Sequence, residues 1–465
     1  MRKPALILLL ACVPAVSGDW PRFRGPDGSG VAETKGLPVE FGPAKSVGWK
    51  TVLPPGHSSP VIAGERIFVT GWEEDKLSTL ALDRRSGKVL WRRDVPRERR
   101  GALHAHNTAA TPTPVTDGDT VFVFFQDVGI LAYSAEGRER WRLPLGPFRN
   151  VFGMAASPVL AGNTLVLVCD QDQGSHLLLI DKETGRIRHR VERTYTSYST
   201  PLILEGAGPK PQAVVSGTME LVSYDVETGE RLWWVSGMPA QPKASPVVAR
   251  VGKRILVICN VLSIENLDKV LPPFPRMAEM FDQNKDGKIS RDELPAEMRG
   301  TFPQIDLNGD EYYTKEEYAI IAEVARIPHT LLAVEPDGRG DITAKVQWRE
   351  KTGLPNVPTP LGYQGVLYLV KEGGIVTSLD PATGRIFKRE RLTGAIGTYY
   401  SSPVAGDGKI YAASIEGQVA VLKAGEQWEL AAVNNFDEPI FATPAIADGR
   451  LYVRTRSALY CLGGK

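Results

Sequence analysis

Asp225-Val226-Glu227-Thr228-Gly229-Glu230-Arg231-Leu232-Trp233 reads as a tight hairpin turn feeding an apolar strand. The aspartate can accept backbone N–H groups, the glycine takes the left-handed backbone that the turn demands, and the tryptophan follows four residues later. Working upstream, Ser199-Thr200-Pro201 precedes one apolar run, Gln212 to Ser216 makes a second, and Leu221 to Asp225 a third; Arg231 to Val235 is the fourth. Four short strands in about forty residues have the size of one propeller blade.

The unit repeats. Eight Ser-Pro or Thr-Pro steps, each opening a hydrophobic run, fall at Ser59-Pro60, Thr113-Pro114, Ser157-Pro158, Thr200-Pro201, Ser245-Pro246, Thr359-Pro360, Ser402-Pro403 and Thr443-Pro444. Their spacings are 54, 44, 43, 45, 114, 43 and 41 residues, so one interval carries an insert of roughly seventy residues on top of the repeat. The turn phrase returns as Asp83 to Gly87 with Trp91, Asp181 to Gly185 with His189, and Asp380 to Gly384 with Lys388. Degenerate copies are Gly137 with Trp141 and Gly425 with Trp428. A tryptophan at that place fills the gap between neighbouring blades, a packing role and not a catalytic one. The last repeat, Pro444 to Leu462, lacks a fourth strand, while Val47-Gly48-Trp49-Lys50 supplies the missing phrase. The expected fold is therefore an all-β, eight-bladed propeller closed by an N-terminal strand, which removes exposed sheet edges.

The Asp-x-x-Thr-Gly-x-x-x-Trp phrase resembles the pyrroloquinoline-quinone-type (PQQ-like) propeller repeat over about residues 44 to 465, the insert excluded. Asp19-Trp20-Pro21-Arg22-Phe23-Arg24-Gly25 and Gly56-His57-Ser58-Ser59-Pro60 further resemble exported proteins of this type. The resemblance implies an extracytoplasmic scaffold or, alternatively, a PQQ-dependent or other propeller enzyme acting on alcohols or sugars. Quinoprotein alcohol dehydrogenases of this fold carry adjacent cysteines under the cofactor ring, whereas Cys169, Cys259 and Cys461 are never adjacent here.

Charge is balanced, with 55 Lys and Arg against 54 Asp and Glu, which gives no field for nucleic acid or an anionic membrane surface. The basic cluster Arg92, Arg93, Arg97, Arg99 and Arg100 reads as a solvated loop. Met1-Arg2-Lys3, the apolar stretch Pro4 to Val16 and Ser17-Gly18 form a short export signal over 1–18. Leu9-Leu10-Ala11-Cys12 also resembles a lipoprotein signal, so the expected membrane attachment is limited to a lipid anchor at Cys12. The mature chain is then exported, periplasmic or outer-membrane associated, with other envelope proteins as its expected partners. An odd number of remaining cysteines excludes a disulfide framework, and Cys169 and Cys259 read as buried free thiols.

The domain plan is a leader at 1–18, an N-terminal extension at 19–43, propeller at 44–261, an insert at 262–328 within blade five, and propeller again at 329–465. The insert is a small α-helical EF-hand pair with Ca2+ as its expected cofactor. Its first loop runs Asp282-Gln283-Asn284-Lys285-Asp286-Gly287-Lys288-Ile289-Ser290-Arg291-Asp292-Glu293. A hard divalent cation needs six or seven oxygens, and alternate positions of a tight loop converge Asp282, Asn284 and Asp286, with the Lys288 carbonyl, Ser290 through water, and bidentate Glu293. The second loop spans Asp306 to Glu317 and places Asp306, Asn308, Asp310, Tyr312, Thr314 and Glu317 in the same register. Glu311 stands where glycine is expected, at a cost on the order of 1 kcal/mol, and Tyr313 replaces an aliphatic residue, so this site is expected to be the weaker. Ile289 should pair with the equivalent residue of the second loop. Short linking segments and Pro272, Pro273, Pro275 and Pro295 keep the pair compact.

The insert leaves a blade on the face that also carries the connections between blades, beside the channel mouth. His57, His104, His106, Asn107, Tyr198, Tyr399 and Tyr400 are expected on that rim, as a candidate ligand or partner surface. No convergent carboxylates or nucleophile-base pair mark it as a hydrolase or lyase site. A calcium-binding interaction or assembly scaffold is the leading reading.

Overall fold

The computed structural model describes residues 18–262 and 272–464. The anticipated leader up to Ser17, with Cys12, and the first residues of the insert lie outside the described residues. Eight antiparallel sheets form the eight blades of an all-β propeller. Blade one is typical: Val61–Ala63, Arg66–Trp72, Lys76–Asp83 and Val89–Pro96 pair in that order. The first strand is short because proline, which cannot donate to a ladder, immediately precedes it. The second strands are apolar runs buried on both faces, as in Thr120–Phe125 and Thr164–Cys169. Fourth strands face solvent and mix charge into the pattern, as in Glu139–Pro144. Among the described residues no helix is long and apolar enough to cross a membrane.

The core is laminar. Each apolar cluster lies between consecutive blades: Phe68, Trp91, Val123 and Tyr133 between blades one and two, Phe122, Phe124, Leu165 and Leu178 between two and three. The turn phrase explains how the blades register. Trp91 Nε1 donates to Ala135 O at 2.9 Å, Trp141 Nε1 to Lys182 O at 2.8 Å, and Trp348 Nε1 to Pro381 O at 3.0 Å. Each indole lies on the turn glycine of the next blade. A Cβ on Gly137 would stand 2.7 Å from Trp91, one on Gly185 2.6 Å from Trp141, and one on Gly384 2.8 Å from Trp348. Such separations exclude any side chain, so the glycine serves the neighbouring blade as well as its own turn.

Blade eight consists of Ala445–Ala447, Arg450–Arg454, Ala458–Leu462 and, on its outer side, Val47–Val52. Trp49 pairs with Cys461 and Val52 with Ala458. Trp49 makes the same dock as the other tryptophans, donating to Arg84 O at 3.0 Å beside Gly87 of blade one. Blade four has a feature that the repeat pattern does not announce: Gly340–Asp341, from the connection between the last two strands of blade five, pairs in parallel with Trp233 and Trp234.

Two sequence expectations need correction. The basic cluster after blade one is not solvated throughout. Arg97 and Asp127 form a 2.6 Å ion pair with side chains only 7% and 1% exposed, and Arg99 donates to Asp127 O and Leu145 O. Tyr399 leaves the rim: it is buried between blades six and seven, and its hydroxyl donates to Ala395 O at 2.7 Å.

Candidate functional site: the channel mouth and the acidic-loop insert

The Ser/Thr-Pro steps converge on the channel and are hydrogen-bonded to one another. Ser59 N donates to Thr113 Oγ1, Thr113 N to Ser157 Oγ, and Ser157 N to Thr200 Oγ1, at 2.9–3.0 Å. From blade five the pattern resumes, from Ser245 N across the insert to Thr359 Oγ1, Thr359 N to Ser402 Oγ, and Ser402 N to Thr443 Oγ1, at 3.0–3.1 Å. Each hydroxyl oxygen thus satisfies a buried amide of the preceding blade, and the proline that follows makes no competing demand. The repeated dipeptide is the sequence signal of this belt, although its reach from blade to blade is invisible in any single repeat.

The N-terminal extension closes one end of the channel. Trp20 exchanges backbone hydrogen bonds with Ile62 of blade one, Pro21 O accepts from Thr116 N of blade two, and Gly30 O accepts from Ala405 N of blade seven. Between these anchors Arg24, 1% exposed, donates to Gly28 O, Ser29 O, Pro360 O and Pro403 O. The segment Asp19 to Gly25, noted in the sequence for its resemblance alone, is therefore a plug. At the other end a cavity of about 430 Å³ is lined by all eight Ser or Thr residues of the belt, by Phe23 of the plug, and by His57, His104, His106, Asn107, Tyr198, Lys243 and Tyr400 among others. Six of the seven expected rim residues are there.

Its chemistry is aromatic and cationic. His57 stacks on Phe441 with centroids 4.1 Å apart and planes 12° apart, and His106 meets Tyr400 edge-on at 5.5 Å. Burial, aided by the Arg454 guanidinium, pushes the His57 imidazole down to about 3, so it is neutral at physiological pH. Burial also brings the Lys243 ammonium down to about 8, opposed by Glu372. Aspartate and glutamate are absent from the lining.

The insert is built around two short helices, α1 (Phe274–Phe281) and α2 (Lys315–Arg326), and two acidic loops. Pro275 sits near the start of α1, where its missing N–H costs nothing. Thr314 caps α2 reciprocally with Glu317. In the first loop Asp286 N and Gly287 N donate to the Asp282 carboxylate, Asp286 N also to Asn284 Oδ1, and Lys288 N to Asp286 Oδ1. Glu293 accepts from Gln283 N at 2.9 Å and from Ser290 N and Oγ at 2.7 and 2.8 Å. Those donors, the Ser290 amide first, hold its carboxyl below the usual range. The second loop repeats the scheme with Asp306, Asn308, Asp310, Thr314 and Glu317, and Tyr312 N donating to Asp310 Oδ1. Ile289 pairs with Tyr313 across the two loops, and Tyr313 stacks on Phe302 at 4.3 Å. Lys288 places its ammonium over the Tyr312 ring.

The two loops are not equivalent. Gly287 has φ +85° where Glu311 is held at φ +68°, and two residues earlier the pattern reverses, with Lys285 at +62° and Gly309 at +77°, so the difference lies elsewhere. Asp306 is 1% exposed, and burial followed by the neighbouring Glu317 charge raises its carboxyl pKa. That burial arises because the second loop rests on blade three. Gln173 Nε2 donates to Asp306 O at 2.8 Å, while Arg149 Nη1 donates to Gln173 Oε1 at 2.7 Å. Next to Arg149, Asn150 accepts from the Tyr198 hydroxyl at 3.4 Å, which carries the chain of contacts to the cavity wall. Nothing in the sequence signals Gln173. Among the described residues no three His, Cys, Asp or Glu side chains stand together as a preassembled metal cluster; in both loops the carboxylates face backbone amides. The donors themselves are all oxygens in alternate register, the chemistry that hard divalent cations require.

Eight four-stranded blades around a plugged channel define a β-propeller of the PQQ-like repeat class. A family model described as outer membrane protein assembly factor BamB matches residues 31–233, 151–262 and 372–461, and the chain belongs to that family. No curated protein matches it. Among solved structures it is similar to BamB from Moraxella catarrhalis, at 11% identity and a TM-score of 0.54, covering 90% of this chain and 98% of that one. It is also similar to quinohemoprotein alcohol dehydrogenase from Comamonas testosteroni, at 12% identity, TM-score 0.62 and coverage of 97% and 82%. A europium-containing methanol dehydrogenase matches at 10% identity, TM-score 0.57 and coverage of 97% and 98%. These structural likenesses carry the fold and no activity.

Proposed function

We propose that this protein is an exported, calcium-binding propeller that acts as an interaction or assembly scaffold in the cell envelope. The supporting observation is the seating of the paired acidic loops on blade three through Gln173 and Asp306, beside the mouth of the channel. In this reading the insert is an EF-hand pair. Asp282, Asn284, Asp286, the Lys288 carbonyl and Glu293 would hold one ion, with Ser290 acting through water. Asp306, Asn308, Asp310, the Tyr312 carbonyl, Thr314 and Glu317 would hold the second. The ion supplies positive charge that gathers the loop carboxylates, and the chain's own part is to aim the oxygens and to fix both loops through the Ile289–Tyr313 pairing. Val47–Val52 serves as the closing strand of the ring. Export is supported by the leader-like residues preceding Gly18 and by the outer-membrane assembly description of the matching family.

Affinity capture from a periplasmic and membrane extract, with and without calcium, tests the reading. Envelope proteins retained by the wild type in calcium should be lost on chelation and from a Glu293→Gln, Glu317→Gln variant. Equal retention by both proteins in both conditions would remove calcium from the function. An enzyme reading is addressed separately by reconstitution with pyrroloquinoline quinone and calcium; sustained dye reduction with alcohols or sugars above about 1 per second would displace the scaffold.

A further inference from the structure

The plug carries two arginines, two residues apart, with opposite circumstances. Arg24 donates to four backbone carbonyl oxygens. Arg22 is 6% exposed, its side chain makes no hydrogen bond or ion pair among the described residues, and its Nε is shut off from solvent. Arg84 and Arg454, buried as well, donate to several oxygens each. A buried guanidinium without acceptors is costly, and such groups in folded proteins ordinarily have a partner.

Arg22 borders a second cavity of about 470 Å³, at the end of the channel remote from the insert, walled by the first strands of blades three to six, including Leu160, Leu202, Val247 and Val248. That volume suits a small organic ligand. Gly28, at φ +79°, leaves room for the side chain: a Cβ there would come within 3.1 Å of Arg22 Nη2. Burial pulls the Arg22 pKa down to about 10, so it keeps its charge at neutral pH; Asp27 and Glu205 act on it only through space. Asp27 spends Oδ1 on Ser29 N at 2.9 Å, and Glu205 is exposed.

We propose that Arg22 anchors a carboxylate-binding site at the plugged end of the channel. The guanidinium fork presents parallel donors that match a planar carboxylate, and the apolar first strands receive the body of the ligand. Arg250 also lines the cavity and offsets Asp27 and Glu205, so the preference over phosphate or sulfate rests on the apolar wall, which those ions do not fill. The carboxylate belongs either to a small free acid or to an acidic side chain of a peptide. The site is independent of calcium and of the insert.

The test uses the whole protein labelled with 15N-arginine, with butyrate, butyramide, inorganic phosphate and the blocked tripeptide acetyl-Gly-Glu-Gly-amide as probes. The Arg22 Nε–H resonance, identified by its absence from Arg22→Met, should move saturably with butyrate or the peptide. Phosphate should bind at least tenfold more weakly, and butyramide should have no effect. Whichever carboxylate binds more tightly identifies the source. Without ligand, Arg22→Met should melt no lower than the wild type, because it removes an unpaired buried charge. The proposal is overturned by a resonance unmoved by either carboxylate, by phosphate binding as tightly as butyrate, or by a substantial fall in the melting temperature of Arg22→Met.

Discussion

Aspartates begin turns in both the propeller and the insert, and the two regions put the same side chain to different ends. In the blades Asp181 Oδ1 accepts from Glu183 N and Thr184 N, and Asp225 Oδ1 from Glu227 N and Thr228 N. The turn is thereby finished locally, and its glycine receives a side chain from the preceding blade, Trp141 on Gly185 and Val191 on Gly229. In the insert Asp282 and Asp306 also accept amides of their own loops, but the glutamate eleven residues on turns back to the start of the loop. One turn ends in an apolar dock on the next blade; the other turns its oxygens inward, and its apolar contacts, Ile289, Phe302 and Tyr313, stay within the insert. The ring of blades should then hold its fold without the insert, while the insert should depend on its seat and, if it binds calcium as proposed, on the ion.

The largest break in that comparison comes from the closing strand. Removing residues 44–52 should expose the edge of Ala458–Leu462 and leave Gly87 without Trp49, giving aggregated protein by light scattering. Replacing 262–328 by a short Gly-containing turn should leave a monomer with a cooperative melt, since Val261 and Thr330 are paired at the exit and entry points. Insoluble insert-deleted protein beside monomeric strand-deleted protein would reverse the assignment of roles.

Next in size is the dock itself. Trp141→Ala should cost about 3–5 kcal/mol in denaturant unfolding, and Gly185→Ala should also destabilise, having both a positive φ and an indole 2.6 Å from its Cβ position. Tolerance of Gly185→Ala would reduce the glycine to a local turn residue.

The loops are separated by calorimetry. Glu293→Gln should remove the tighter of two calcium sites and Glu317→Gln the weaker, because Asp306 is buried and held towards its protonated form. Unchanged stoichiometry in Glu293→Gln would refute the ligand assignment. Gln173→Ala should cost about 1 kcal/mol of seating, read as faster hydrogen exchange in α2 with the blades unaffected.

The smallest effect is a pH slope. His57 is held at about 3 against an ordinary 6.5, so the unfolded chain takes up its proton first as pH falls. Its contribution to stability is intact above 6.5 and is progressively lost between 6.5 and about 3, by no more than about 1.4 kcal/mol per pH unit. His57→Phe, which can keep the stack on Phe441, should flatten this slope, most clearly between pH 6.5 and 5 where few carboxylates titrate. An unchanged slope there would show that His57 is protonated in the folded protein.

What could be read from the sequence was what is repeated or local. The eight Ser/Thr-Pro steps and the Asp-x-x-Thr-Gly turns announce the blades because each is complete within a dozen residues. The plug could not be seen that way, since Arg24 meets Pro360 and Pro403 across 336 and 379 residues of chain. Trp348 is hidden because no full turn phrase precedes it, and Gly340–Asp341 because a two-residue parallel pairing leaves no alternation to detect. Gln173 is an ordinary polar residue until a loop from another blade lies on it. Tyr399 and Arg97 show the converse error: hydroxyl and guanidinium groups look exposed in sequence and are buried once an acceptor is supplied.

Where it occurs, the tryptophan-on-glycine contact runs from one blade to the next, and Trp49 on Gly87 continues it where the chain ends meet. The ring therefore has no mechanical first blade. Its seam is a lap joint, with the two ends overlapping inside blade eight instead of abutting between blades. A circular permutant whose new termini fall in any exposed link between blades would inherit the same set of docks, and the order of repeats around the circle, rather than the position of either terminus, is what the molecule encodes.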